Sequence, residues 1–342
     1  MATHERELTE PTTLCTPDGR HLSPTAVGFS RRPMLTANVS GPWGRVKRWE
    51  YWAILAGDHV VSLTYADVDY VGIASVWWCH LPTGDTGGRD VAAPLGRGLH
   101  LPELPGSADL RYESASLSIS ITDDESGTRI VAGWSERDGN RGELDATVSR
   151  PVGHEALHVV IPWSERRFQY TIKDQARPVT GHALLGATRR ELGADGEAWG
   201  VLDVGRGVWP YKIRWNWAGG AGRSDQGTLV GLQLGGKWTE GTGATENAVI
   251  VDGKLTKVGQ ELTWRYRWDA PLEAWTASAP DGSIDVTLTP LYDKKTAMEA
   301  GVMGMHVHQV FGTWSGSVRT DDGETHTFDG IQGFAEEARN RW

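Results

Sequence analysis

Cysteine is nearly absent: Cys15 and Cys79 are the only two in 342 residues. Two are too few for a disulfide framework or a cysteine-based zinc site, and they fit a reducing, cytoplasmic compartment. No apolar run approaches the roughly eighteen residues that a membrane span needs, and the first ten residues are too polar for a secretory signal. The expectation is a chain without a membrane span. Basic charge is also in short supply. Thirty-four Lys and Arg stand against 44 Asp and Glu, a formal charge of −10. A negative field of this kind repels phosphate backbones, so nucleic acid is not an expected partner. The glycine-flanked serine of hydrolases, the His-Glu-x-x-His of zinc proteases, the phosphate-binding loop and the dinucleotide fingerprint are all missing. Their absence removes the usual forms of nucleophilic serine and nicotinamide chemistry, and neither cofactor nor metal is expected.

Tryptophan and glycine are abundant, with 17 and 43 residues. Indoles in such excess fill a wide β core, line a pocket for a sugar or an unsaturated apolar ligand, or build an interface. The patterning selects β structure. Leu117, Ile119 and Ile121 alternate with serines, and Trp49 and Tyr51 alternate with Glu50 and Trp52, as half-buried strands do. Ala56-Gly57-Asp58 reads as the hairpin turn between two such strands, and Asp252-Gly253, Pro280-Asp281-Gly282 and Asp321-Asp322-Gly323 mark further reversals. Helical periodicity is confined to one or two turns at Lys295–Ala300 and a short helix at Gly333–Trp342. The fold class predicted is all-β: two packed antiparallel barrel or sandwich units with few short helices. Residues 1–30 form an extended lead-in, 31–180 the first unit and 181–342 the second, with the boundary in the apolar-poor stretch from Gln175 to Gly196.

The densest segment is LDVGRGVWPYKIRWNWAGGAG, Leu202 to Gly222. On a strand, Arg214 and Asn216 share one face while Trp215 and Trp217 share the other. Asp203 and Arg206 lie close to Trp209. A carboxylate walled by indoles loses solvation, its pKa rises, and it becomes a proton donor near neutral pH; an Asp–Arg ion pair closing a turn is the plainer alternative. Glu246 and Asn247 sit where a glycine-rich stretch enters an apolar strand, a position suited to an acid and a substrate-orienting amide, or to loop stabilisation. His306 and His308 share a strand face in MHVHQVFG. No third metal ligand accompanies them, so His308 is a candidate for proton relay or substrate contact. Asp67 and Asp69 share a face in YADVDYVG and mark either a carboxylate pair or a turn. WRYRW, Trp264 to Trp268, reads as an outward arginine stripe over an aromatic core.

Taken together, RWEYW, DVGRGVWPYKIRWNWAGGAG, GGKWTEGTGATENAVIVDG, HQVFGTWSG and the terminal GFAEEARNRW resemble the bacterial family called domain of unknown function 2804, over nearly the whole chain. Where that family's last segment is histidine-rich, this chain has Ala338-Arg339-Asn340. The architecture is more distantly similar to the two-unit, lipocalin-like (calycin-type) group of carotenoid hydratases, hydroxyneurosporene synthases and tocopherol cyclases. That resemblance implies an acid, Asp203 or Glu246, protonating a double bond while Trp209, Trp215 or Trp217 shields the cation. Three functions follow as expectations. The first is a cofactor-independent hydratase, isomerase or cyclase acting on an unsaturated metabolite such as a terpenoid. The second is a carbohydrate-active enzyme using Asp203 and Glu246 as paired carboxylates, and the third a non-catalytic lipid or pigment carrier. The residues assigned to the site are Asp203, Glu246 and His308 for chemistry, with Trp209, Arg214, Trp215, Asn216, Trp217, Asn247, Arg206 and Asp69 for binding.

Overall fold

A computed structural model describes residues 5–301 and 303–341. Two large antiparallel sheets account for most of it. In the first, of thirteen strands, the central order runs Asp85–Pro94, Val71–His80, His59–Asp67, Val46–Ala56, Ala198–Val208, Arg167–Leu185 and Arg141–Ser149. In the second, of nine, the central order runs Asn247–Val251, Leu229–Gly236, Lys212–Arg223, Thr325–Arg341, Met303–Arg319 and Ile284–Ala300. The chain passes from one sheet to the other across residues 209–211. The stretch from Gln175 to Gly196 covers the end of the Arg167–Leu185 strand, the Thr188–Leu192 strand and the turns after each, with both strands in the first sheet. Its shortage of apolar runs reflects a bulge between Asp174 and Arg177, where Ala176 takes a φ of 61°, and the exposed pair Arg189 and Arg190.

Alternation assigns the two faces of each sheet. Along Val46–Ala56, Trp52 and Ile54 enter the first unit's core, whereas Tyr51, Ala53 and Leu55 face the second unit. Along Lys212–Arg223, Ala218 enters the second unit's core, and Trp217 faces the first unit. Each sheet thus wraps its own core and turns its other face to its partner, and the shared layer is built largely of aromatics. Phe334 touches Trp217 with centroids 4.6 Å apart and Phe311 at 5.7 Å. The lead-in is docked too: Leu8, Leu14 and Leu22 pack on Phe168, Tyr170 and Val204 of the first sheet.

Both expected helices are strand. Lys295–Ala300 is the end of Ile284–Ala300, and Gly333–Arg341 belongs to Thr325–Arg341, which is hydrogen-bonded on both sides; Trp342 lies outside the described residues. Glu336, Glu337, Ala338 and Arg339 are good helix formers, but a central position between two long strands outweighs that local preference. Among the described residues the only helix is the three-residue 3-10 turn Pro24–Ala26, and none is long and apolar enough to cross a membrane.

Phe334 is fully buried where the two units meet. Phe334→Ala is expected to lower the stability of the whole chain by about 3–5 kcal/mol, read as an earlier midpoint in urea unfolding with no separate transition for either half.

Candidate active site

Between the sheets lies a cavity of about 250 Å³, larger than the roughly 150 Å³ void that admits one benzene ring and below the range of drug-sized pockets. Strand register explains what lines it. Across the second sheet, Lys294, Gln309, Glu336, Trp217 and Gly235 are directly opposite one another in successive strands. Glu246 fills the space over Gly235, where an added Cβ would stand 2.1 Å from the Glu246 Cγ. Across the first sheet the corresponding row is Lys173, Asp203, Tyr51 and Thr64. Trp49, Trp209, Trp215, Trp238, Met305 and Val307 complete the walls.

Three carboxylates and two lysines face this space. The Lys173 ammonium lies 3.0 Å from Asp203 Oδ1, 3.4 Å from Glu246 Oε2 and 4.4 Å above the centre of the Trp217 ring. Burial opposes its charge, but Asp203 and Glu246 outweigh burial and hold it above the usual lysine value. Each carboxylate also takes one indole N–H. Trp49 donates to Asp203 at 3.2 Å, Trp238 to Glu246 at 2.5 Å and Trp215 to Glu336 at 2.8 Å; Thr171 adds a hydroxyl to Asp203 at 3.3 Å. Burial pushes Glu246 up to about 7 against the pull of Lys173, and pushes Glu336 to about 7 against Trp215 and Lys173. The same desolvation lowers Lys294 to about 8. A carboxyl with such a value carries its proton part of the time at neutral pH and gives it up readily.

Of the residues singled out in the sequence, Asp203, Glu246, Trp209, Trp215 and Trp217 line the cavity; the others do not. His308 is on the opposite strand face from Gln309, bonded to Asp293 at 2.8 Å and set against Trp268. Arg206 points into the first unit, paired with Glu50 at 3.0 Å and bonded to the Trp49 carbonyl. Arg214 is largely exposed and pairs with Glu337. Asn216 donates to the Tyr266 hydroxyl on the far face, and Asn247 ties the Gly235 N–H to the Gln260 carbonyl. Asp69 holds a turn at a φ of 74° and accepts from the Val46 N–H. Lys173, Lys294, Glu336, Trp49 and Trp238 were not singled out. Parity offered the one available signal: Glu336 is two residues from Phe334, and a strand reading of the C-terminus places both on one face.

The family described as "Domain of unknown function (DUF2804)" matches residues 5–342. The chain belongs to this family. Among solved structures it is similar to a protein provisionally called AttH from Nitrosomonas europaea, at 14% identity and a TM-score of 0.48 over 86% of this chain and 92% of that one. It is similar also to kievitone hydratase from Nectria haematococca, at 11% identity and 0.47 over 97% and 96%, and to CghA, at 9% and 0.44 over 89% and 90%. No curated protein matches.

The raised glutamates make stability fall with pH. Below its ordinary 4.5, Glu246 is protonated folded or unfolded; from there to about 7 only the folded chain keeps the proton, and above that the buried charge costs its full amount. Glu246→Gln removes this dependence. The variant is therefore expected to gain a few kcal/mol on the wild type between pH 4.5 and 7, measured by urea unfolding on both sides of that window.

Proposed function

We propose that this protein binds a compact, largely apolar, unsaturated small molecule in the cavity between its sheets and moves a proton on it, in a reaction of hydratase or isomerase type. The observation that carries this reading is the placement of two buried glutamates, each near 7, on either side of Trp217 in one indole-walled cavity. One gives a proton to a double bond; the other takes a proton from a neighbouring carbon or from an attacking water. Positive charge that develops between these steps faces the indoles of Trp209 and Trp215, whose ring faces are negative. Asp203 has a different part. Bound to Lys173, Trp49 and Thr171, it fixes Lys173, and Glu246 and Glu336 are the acids.

The two alternatives fit less well. Asp203 and Glu246 converge on the buried Lys173 ammonium, so a fixed cation stands between them where glycoside cleavage by that pair would need the sugar. A carrier needs no buried ionisable groups, whose desolvation costs several kcal/mol each.

Glu246→Gln and Glu336→Gln are expected to leave ligand affinity within a few-fold, as read by quenching of tryptophan fluorescence with a panel of compact terpenoids and aromatic enones. Turnover, followed by mass spectrometry as a gain of water or as deuterium uptake at equal structure, is expected to fall about 10²–10⁴-fold. Full turnover in both variants would remove the glutamates as acids; quenching by oligosaccharides alone would replace the ligand class.

A further inference from the structure

The acid–base reading uses Glu246, Glu336, Asp203 and Lys173 and leaves Lys294 without a task. Both ammonium groups stand over an indole ring, but the carboxylates that hold Lys173 have no counterpart at Lys294. Lys294 lies on Ile284–Ala300 opposite Gln309, and its side chain reaches across to the first sheet. There Nζ donates to Ser62 Oγ at 3.3 Å and sits 4.4 Å from the centre of the Trp77 ring. Among the described residues it makes no ion pair; the charges acting on it are those of Glu336, from the second sheet, and the exposed Asp90, from the first. The Tyr51 hydroxyl is buried in the same corner, beside Ser62 and Gln309, without a fully formed hydrogen bond. The cavity therefore ends in an amine with no carboxylate partner, a hydroxyl ready to donate and a glutamate that carries protons.

We propose that Lys294 is a Schiff-base nucleophile and that the cavity takes compact aldehydes or ketones, with the carbonyl carbon at its Nζ and the carbonyl oxygen toward Tyr51. This rests on the reading of the cavity as a small-molecule site and names the functional group of its ligand. A lysine is nucleophilic only as the free amine, and an apolar pocket without a counter-charge favours that form; desolvation to about 8 leaves a usable fraction near neutrality. The amine attacks the carbonyl carbon, a C–N bond forms, and the C=O π pair moves to oxygen. Glu336, directly or through one water, protonates that oxygen, takes a proton back from nitrogen, and returns it to the departing hydroxyl. One water leaves, and a protonated C=N bond remains beside the Glu336 carboxylate. No oxidant or reductant takes part. The resulting iminium withdraws electrons from a conjugated double bond and from the adjacent carbon, which makes the proton transfers assigned to the glutamates easier.

The test uses the full chain, cinnamaldehyde and benzaldehyde as probes, and sodium cyanoborohydride to trap the C=N bond, with tryptophan quenching by the same aldehydes measured separately. The expected result is a peptide containing Lys294 that is heavier by the aldehyde less one oxygen atom, formed at least tenfold faster than adducts at exposed Lys295 and Lys212. Lys294→Met is expected to lose this adduct while still quenching. Quenching with adducts spread over the exposed lysines overturns the Schiff base and leaves the pocket reading standing. Absence of both adduct and quenching with every compact unsaturated compound overturns the two together.

Discussion

The Lys173 ammonium, buried between the sheets, is the fixed point of this molecule. It cannot remain charged there unaided, because desolvation costs more than apolar packing returns; Asp203 from its own sheet and Glu246 from the other make it tolerable. Hydrophobic contact between two sheet faces is non-directional and tolerates sliding, whereas an ion cluster with one member across the gap does not. It therefore specifies how the sheets meet. The backbone has been shaped to allow it: a side chain at position 235 would collide with Glu246, and Gly205 leaves room in the same way for the Trp49 ring.

The tryptophan content acquires a physical reason in the same place. Each of the three cavity carboxylates is held by the N–H of a different indole. Phenylalanine or leucine would supply the apolar wall and no donor; arginine would supply donors and too much charge. Burial raises Glu246 and Glu336 to about 7, and the indole N–H on each, together with the charge of Lys173, opposes that rise. Asp203 takes the ammonium at 3.0 Å in addition to Trp49 and Thr171.

Much of this was readable in the chain. The alternation at Trp49-Glu50-Tyr51-Trp52 gave a strand with correct faces, the surplus of indoles left a β core, a pocket lining and an interface open, and the density around Leu202–Gly222 drew attention to Asp203, Trp209, Trp215 and Trp217, which line the cavity. What stayed hidden depended on contacts distant in sequence. Lys173 lies in QYTIKDQ, where nothing local shows that residue 203 pairs beside it and residue 246 meets it from the other sheet. Glu336 was concealed by a stretch whose own preference is helical, and once that stretch is read as strand its parity follows. His308 drew attention as one of two histidines on a strand face, Arg206 for its closeness to Asp203 and Trp209, and Asn247 for its place at a strand entrance, yet none lines the cavity and each is held by other partners. Residue type revealed that something polar is buried; only register decides which face it serves.

Register also explains how one cavity holds two lysines of opposite character. Lys173 stands on the strand beside Asp203 and under Glu246, so three ionisable groups share its surroundings and charge is retained. Lys294 stands two strands away from Glu336, with Gln309 between them, and meets only a hydroxyl and a ring face at its tip. Near neutral pH the first is always an ammonium, while the second and both glutamates lie close to their midpoints. An apolar space favours states of low total charge, so a proton gained by one of these three groups displaces one from another at little cost. The cavity thus gathers two glutamates and a lysine with values near neutrality around one fixed positive charge, and it is strand register, more than any single residue, that brings them together.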